Sequence, residues 1–180
     1  MTDEIRTARV LMRRWQDRDR VPFAVMNADP EVMEHFPAAL TVEQSDALVD
    51  RIEEHFLEHG FGLWALEAEG SFVGFTGLSW CTWDAGFTPA VEVGWRLARP
   101  AWGRGYASEA ATAALLRGFQ DLDSIVSFTA TANAPSQRVM ERIGMHHVLD
   151  FDHPGVADRH PLRRHVLYRA ERLSWRLRSP

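Results

Sequence analysis

Arg99-Pro100-Ala101-Trp102-Gly103-Arg104-Gly105-Tyr106-Ala107-Ser108-Glu109-Ala110 stands between two runs of different period. Before it, residues 91–97 alternate. Val91, Val93, Trp95 and Leu97 point one way, and Glu92, Gly94 and Arg96 the other, as in a strand. After it, residues 106–120 are rich in alanine and read as a helix. Gly103 and Gly105 supply a turn in which positive φ carries no steric penalty. The amides of such a loop and of the first helical turn face outward beside the positive end of the helix dipole. That is an anion site made of main chain, of a kind that holds phosphate.

Two familiar phosphate motifs fit it poorly. A P-loop needs Gly-Lys-[Ser/Thr] at the helix start, and no lysine follows these glycines. A dinucleotide fingerprint has a third glycine, where Ser108 stands, and an acidic residue ending the next strand about 20 residues on. Asp121 and Asp123 lie near that distance but precede the strand predicted over residues 124–132. Taken alone, the loop also reads as a helix simply started by flexible glycines.

Trp102-Gly103-Arg104-Gly105-Tyr106-Ala107 resembles the Gln/Arg-x-x-Gly-x-Gly/Ala loop of the GNAT superfamily of N-acetyltransferases, with Trp102 in place of Gln or Arg. Asn133-Ala134-Pro135-Ser136 and residues 138–145 resemble a later motif of the same family. Thr7 to Trp15, Asp29-Pro30-Glu31-Val32-Met33, Gly62-Leu63-Trp64-Ala65 and His165-Val166-Leu167-Tyr168-Arg169 resemble its ribosomal-protein N-acetyltransferase (RimJ/RimL-like) branch. The resemblance implies one α/β domain over residues 1–180. Its fold would be a mixed twisted sheet of about seven strands flanked by helices, the two central parallel strands splayed in a V.

The remaining pattern agrees with an α/β chain. A first strand is predicted over 9–14 and a short helix over about 20–27. Thr41-Val42-Glu43-Gln44 is a capping box, opening a helix that aligns Leu48, Ile52 and Phe56 and stops near Gly60. Strands are predicted over 61–67 and 71–78, joined at Glu69-Gly70, and an aromatic-rich loop over 80–89. Gly94 inside its strand predicts a bulge or a close backbone approach. A short helix over 134–143 ends at Gly144, and strands over 146–151 and 164–172 close the chain.

Composition excludes several classes. Of 180 residues, 46% are apolar and 25% charged, as in an ordinary globular protein. The net charge of −5 argues against nucleic acid as the main partner. No apolar run approaches the roughly 18 residues of a membrane span. Asp3 and Glu4 do not suit a secretory leader, and the single Cys81 forms no internal disulfide, so a cytoplasmic protein is expected. The arginines at 163, 164, 169, 172, 176 and 178 read as solvated charge. His146, His147, His153, His160 and His165 match no zinc spacing, so no metal is expected.

The resemblance implies acetyl-CoA as co-substrate. Its pyrophosphate would lie on Trp102, Gly103, Arg104, Gly105, Tyr106 and Ala107. Its pantetheine arm would pair with the backbone of Val93, Gly94 and Trp95, and the thioester would come within reach of Asn133 and Ser136. Glu92 is the candidate base for the acceptor amine; an ion pair with Arg96 is the competing role. Met140 occupies the position where many members carry a tyrosine that protonates the leaving thiolate. Ser136 and Tyr168 are the candidate donors in its place, helix capping being the other role for Ser136. Asn133 bonds the pantetheine or caps the helix, and Tyr106 is equally a packing residue. Cys81 has no evident histidine partner, so transfer is expected to be direct, in a ternary complex. The acceptor would be a protein N-terminal α-amine or a small amine, chosen by the 41–60 helix and the 80–89 and 151–163 loops. A homodimer is left open. Two other classes stay open as well: a non-catalytic acyl-CoA sensor and an NAD(P)-binding oxidoreductase.

Overall fold

The computed structural model describes residues 4–176; Asp3 and Arg178, named above, lie outside them. The chain opens with two short antiparallel strands, β1 (Ile5–Arg6) and β2 (Leu11–Arg13). Helix α1 (Asp17–Ala28) starts three residues earlier than the apolar pattern predicts. The reason is a cap: Gln16 N donates to Asp19 Oδ2 at 2.9 Å, and the buried Arg13 forks onto the same carboxylate at 2.7 and 2.9 Å. Helix α2 (Val42–His59) has the predicted capping box. Gln44 N donates to Thr41 Oγ1 at 3.2 Å and Thr41 N to Gln44 Oε1 at 2.8 Å, and Gly60 ends the helix at φ +72°. The buried stripe of α2 runs through Ser45, Val49, Ile52 and Phe56, centred on Val49 rather than Leu48.

Strands β3 (Leu63–Ala68) and β4 (Ser71–Cys81) meet at the predicted turn, where Glu69 and Gly70 both take positive φ. β4 runs three residues past its predicted end, because β5 (Ala90–Leu97) pairs with it without interruption from Gly74↔Leu97 to Cys81↔Ala90. Trp80 and Cys81 therefore belong to the strand, not to the loop. A 3-10 turn (Arg99–Ala101) leads through the glycines into α3 (Tyr106–Gly118). Then follow β6 (Ser124–Ala130), α4 (Ala134–Arg142), β7 (His146–Asp152), β8 (Arg164–Glu171) and α5 (Arg172–Arg176).

The eight strands form one mixed sheet in the order β1-β2-β3-β4-β5-β6-β8-β7. Only β5 and β6 run parallel, and they pair at a single position, Glu92↔Val126. Beyond it they part, which is the predicted V. The bulge predicted at Gly94 is not the cause, since the β4–β5 register passes through Gly77↔Gly94 unbroken. A Cβ built on Gly94 would meet nothing nearer than the Glu92 carboxylate at 3.7 Å. The glycine therefore borders open space, ready for close approach by another backbone-like group.

One face of the sheet is sealed by α3. Ala110, Ala111 and Ala114 are fully buried, and their small side chains let the helix settle on Val91, Val93 and Leu97. The other face carries α1 and α2. There Trp15, Phe23 and Phe75 pack edge-on, with the Trp15 and Phe23 rings 4.7 Å apart. Each such burial contributes about 1.5–3 kcal/mol. Among the described residues no helix is long and apolar enough to cross a membrane.

Candidate functional site

The parting of β5 from β6 opens a cleft of about 750 Å³. Its floor is the face of β5 that carries Glu92, Gly94 and Arg96; one end is the glycine loop and α3, the other the start of α4.

At the loop end the main chain does most of the work. Gly103 and Gly105 sit at φ +72° and +81°. The first backbone bond of α3 runs from Glu109 N to Gly105 O at 3.1 Å, so the amides of Tyr106, Ala107 and Ser108 precede the helix's own ladder. Ser108 lines the cleft, and its Oγ, shut off from solvent, has no hydrogen-bond partner among the described residues. An orphaned hydroxyl beside three free amides matches the oxygens of a phosphate. The sequence reading counted Ser108 only as a missing glycine. Trp102 plays a different part from the family's Gln or Arg: its Nε1 donates to Leu97 O at 2.8 Å and ties the loop back to β5. Tyr106 is buried under the Arg9 guanidinium, a packing residue that also borders the cleft.

A second fastening had no signal in the local pattern. Glu109 accepts from Thr7 Oγ1 at 2.6 Å, from Arg9 N at 2.8 Å and from Arg9 Nε at 2.7 Å. Arg9 Nη1 also donates to Arg104 O at 2.8 Å. The N-terminal segment is thus stapled across the loop, about 100 residues away in sequence.

Glu92 stands where the strands part. The residue is half-buried and lines the cleft. Burial pushes its pKa up to about 8, partly offset by the hydrogen bond that Cys81 Sγ donates to Oε2 at 3.7 Å. The Cys81 thiol is itself pushed up by burial and by Glu92, which favours its protonated form. The competing ion pair with Arg96 is not formed. Arg96 instead donates from Nη1 to Asn27 Oδ1 at 2.6 Å and lies against Phe36 and Phe75.

Of the pantetheine residues expected on β5, Gly94 and Trp95 line the cleft, whereas the Val93 side chain is fully buried against α3. Asn133 caps α4: its Oδ1 accepts from Ser136 N at 3.2 Å and its Nδ2 donates to Thr129 Oγ1 at 2.8 Å. Ser136 lines the cleft and forms no side-chain hydrogen bond among the described residues. Met140 is buried and closes the cleft behind it. Tyr168, the other candidate donor, does not line the cleft; its hydroxyl donates to Glu141 Oε1 at 3.2 Å and its ring meets His147.

The aromatic residues of the 80–89 loop find their partners here. Trp83 stacks on Phe151 at 6.0 Å and meets Phe128 edge-on at 5.5 Å. His153 and His165 join this wall with their rings 4.9 Å apart, and burial lowers the pKa of both, so they are neutral at pH 7.

Comparison with known proteins agrees with this architecture. Residues 9–146 match the family model described as acetyltransferase (GNAT) domain. YkkB of Bacillus subtilis, an uncharacterized protein, is 32% identical over 146 residues, which is 78% of this chain and 84% of that one. An acetyltransferase of the GNAT family from Bacillus anthracis superposes with a TM-score of 0.77 at 25% identity, covering 94% of this chain and 98% of that one. RimJ of Mycobacterium smegmatis, solved in complex with CoA-disulfide, shares the fold at a TM-score of 0.72 and 18% identity, over 90% of this chain and 81% of that one. The family match takes in both the glycine loop and the splayed strands, and the chain belongs to the GNAT family of acetyltransferases.

Proposed function

We propose that the chain passes the acetyl group of acetyl-CoA directly to a primary amine, with both substrates bound at once. The observation that carries this reading is Glu92, a carboxylate held near pKa 8 on the cleft floor where β5 leaves β6. Acetyl-CoA supplies an activated thioester carbonyl. The free amides of Tyr106, Ala107 and Ser108, with Ser108 Oγ, hold its pyrophosphate. The open edge of β5 at Gly94 and Trp95 takes its pantetheine arm.

Attack requires the amine without its proton. An alkyl amine has a pKa near 10.4 and an α-amine near 8, so at pH 7 only about a tenth of the α-amine is free. Glu92 takes a proton from the amine as the C–N bond forms and the C–S bond breaks. A base of pKa about 8 is closely matched to an α-amine, so the transfer needs little driving force. Ser136 Oγ faces the cleft with no other partner and offers the proton for the departing thiolate. Of the two candidate donors, Ser136 is favoured, because the Tyr168 hydroxyl is engaged with Glu141.

The match in pKa, with the opening and closing segments that resemble the RimJ/RimL-like branch, supports an α-amine acceptor. A screen tests the reading. Acetyl-CoA consumption is measured across N-terminal peptides, amino acids, polyamines and aminoglycosides, beside thermal shifts with acetyl-CoA and with NAD(P). Stabilisation by acetyl-CoA and acetylation of at least one amine are expected. Binding without turnover on any amine would favour a sensor, and a shift with NAD(P) alone would favour an oxidoreductase.

A further inference from the structure

Arg96 shares its face of β5 with Glu92 and Gly94, and it lines the same cleft. It forms no ion pair among the described residues. Its single hydrogen bond, from Nη1, goes to the neutral amide oxygen of Asn27, and Asn27 is itself fixed by donating to Ser45 Oγ at 3.1 Å. Arg96 Nε is shut off from solvent and has no partner. Phe36 lies 4.1 Å from the guanidinium carbon and Phe75 5.4 Å. Aromatic rings hold the flat of a guanidinium and leave its in-plane donors untouched. The chain thus keeps a cation in the cleft, sets it against two aromatic rings and the Asn27 amide, and leaves the Nε–Nη2 edge without a partner among the described residues. That edge is the fork which meets the two oxygens of a carboxylate.

A buried cation with no counter-ion is unfavourable on its own, and burial lowers the Arg96 pKa to about 10. The acids near this end of the cleft do not relieve it. Glu31 is paired with Arg99, and Glu34 lies beside His35 at 3.9 Å. The donor's phosphates are served by the glycine loop and α3, which packs on the opposite face of β5 through Val91, Val93 and Leu97. Arg96 is on the face of Asn27 and Phe36, the side of α1 and the 29–41 segment.

We infer that Arg96 is the receptor for a carboxylate on the acceptor, so that the preferred substrate is an amine carrying a carboxylate on a tether. The inference rests on the acetyl-transfer reading above and names its substrate class. Glu92 and Arg96 are four residues apart, a rise of about 13 Å less the reach of two side chains. The carboxylate belongs some bonds away from the α-amine, as in a dipeptide or a peptide with an acidic side chain near its N-terminus, and ω-amino acids serve only to probe tether length.

The test compares matched pairs. A series of ω-amino acids and dipeptides is assayed with wild-type protein beside the corresponding carboxamides, and acidic N-terminal peptides beside their Asn and Gln counterparts. The same set is then run on Arg96→Gln and Arg96→Lys. The expected result is a preference for the acid in kcat/KM of about ten- to a hundredfold at the best tether length, the range of a hydrogen bond to a charged group. That preference collapses to near unity in Arg96→Gln and returns in part in Arg96→Lys, while the KM for acetyl-CoA stays within about twofold. Whether free acids or acidic peptides lead tells which kind of carboxylate is used. Equal rates for acids and amides in the wild type, or an acid preference that survives Arg96→Gln, overturn the inference and leave the acetyltransferase reading standing. A rise in the KM for acetyl-CoA with the acid preference unchanged moves Arg96 to the donor and also overturns it. Binding of acetyl-CoA with no acetylation of any amine overturns both readings. The wild-type arm needs no substitution, so a variant that fails to fold does not protect the inference.

Discussion

The two ends of the cleft are built on different plans. The phosphate end is one contiguous stretch, residues 102–108, and its donors are backbone amides plus the single hydroxyl of Ser108. The proposed acceptor end is assembled from single side chains far apart in sequence: Asn27 from α1 and Phe36 beyond it, Cys81 from β4, Glu92 and Arg96 from β5, Ser136 from α4. Main-chain groups do not titrate, so the phosphate end is indifferent to pH. The acceptor end holds a carboxyl raised to about 8 and a guanidinium lowered to about 10, both by burial. Its chemistry is therefore set by tertiary packing, and substitutions at the two ends should fail in different ways.

The largest expected effect is at the acceptor end. Glu92→Gln keeps the shape and removes the base, and kcat/KM for the acceptor should fall about 10²- to 10⁴-fold while the acetyl-CoA dissociation constant, read by calorimetry, stays within about twofold. Next is the converse substitution. Gly105→Val forces a β-branched side chain to φ +81° and places a Cβ 3.2 Å from Arg9 Nη2, at the mouth of the anion site. The acetyl-CoA dissociation constant should rise about tenfold or more. If turnover fell with the affinity unchanged, the two ends would not be separable.

Stability gives a third contrast. The folded pKa of Glu92, about 8, lies above its ordinary value of 4.5. Between those values the folded chain holds a proton that the unfolded chain has released. The stabilisation is therefore complete below pH 4.5 and is lost as pH rises through about 8. Glu92→Gln stays neutral throughout, so its melting temperature should lie close to the wild type near pH 5 and exceed it at pH 9 by roughly 10 °C or more. A variant less stable at pH 9 would deny the raised pKa. Trp102→Ala removes one bond to Leu97 O and should lower stability by about 1 kcal/mol, with a melting shift of about 2–4 °C and little change in turnover. Smallest of all, Tyr168→Phe should leave kcat within about twofold, because the hydroxyl answers to Glu141 outside the cleft.

The same contrast explains how much could be read beforehand. The glycine loop, the capping box at Thr41 and the Glu69-Gly70 turn are local, and local chemistry names them. The V between β5 and β6 came from the family resemblance, and its origin in a single register contact rather than a bulge at Gly94 is a property of the whole sheet. Glu92 was legible as a charge on the open face of a strand. Its release from Arg96 was not, because Asn27 and Phe36 take Arg96 from about 60–70 residues away. The choice between Ser136 and Tyr168 was not legible for a like reason: only the assembled sheet and α4 show that Tyr168 meets Glu141 and lies off the cleft lining. The staple from Thr7 and Arg9 to Glu109 and the orphaned Ser108 hydroxyl became visible only once α3 was in place.

The proposed transfer turns on one step, the uptake of the acceptor's proton by the buried Glu92. Its most direct test is the single-turnover rate of acetyl transfer from pre-bound acetyl-CoA as a function of pH. The acceptor should be an amine whose own pKa lies below about 6, so that the rate reports the protein's ionisation alone. The rate is expected to rise with unit slope and level off near pH 8 in the wild type, and to be slow and flat in Glu92→Gln. The same rising limb in both proteins would contradict it.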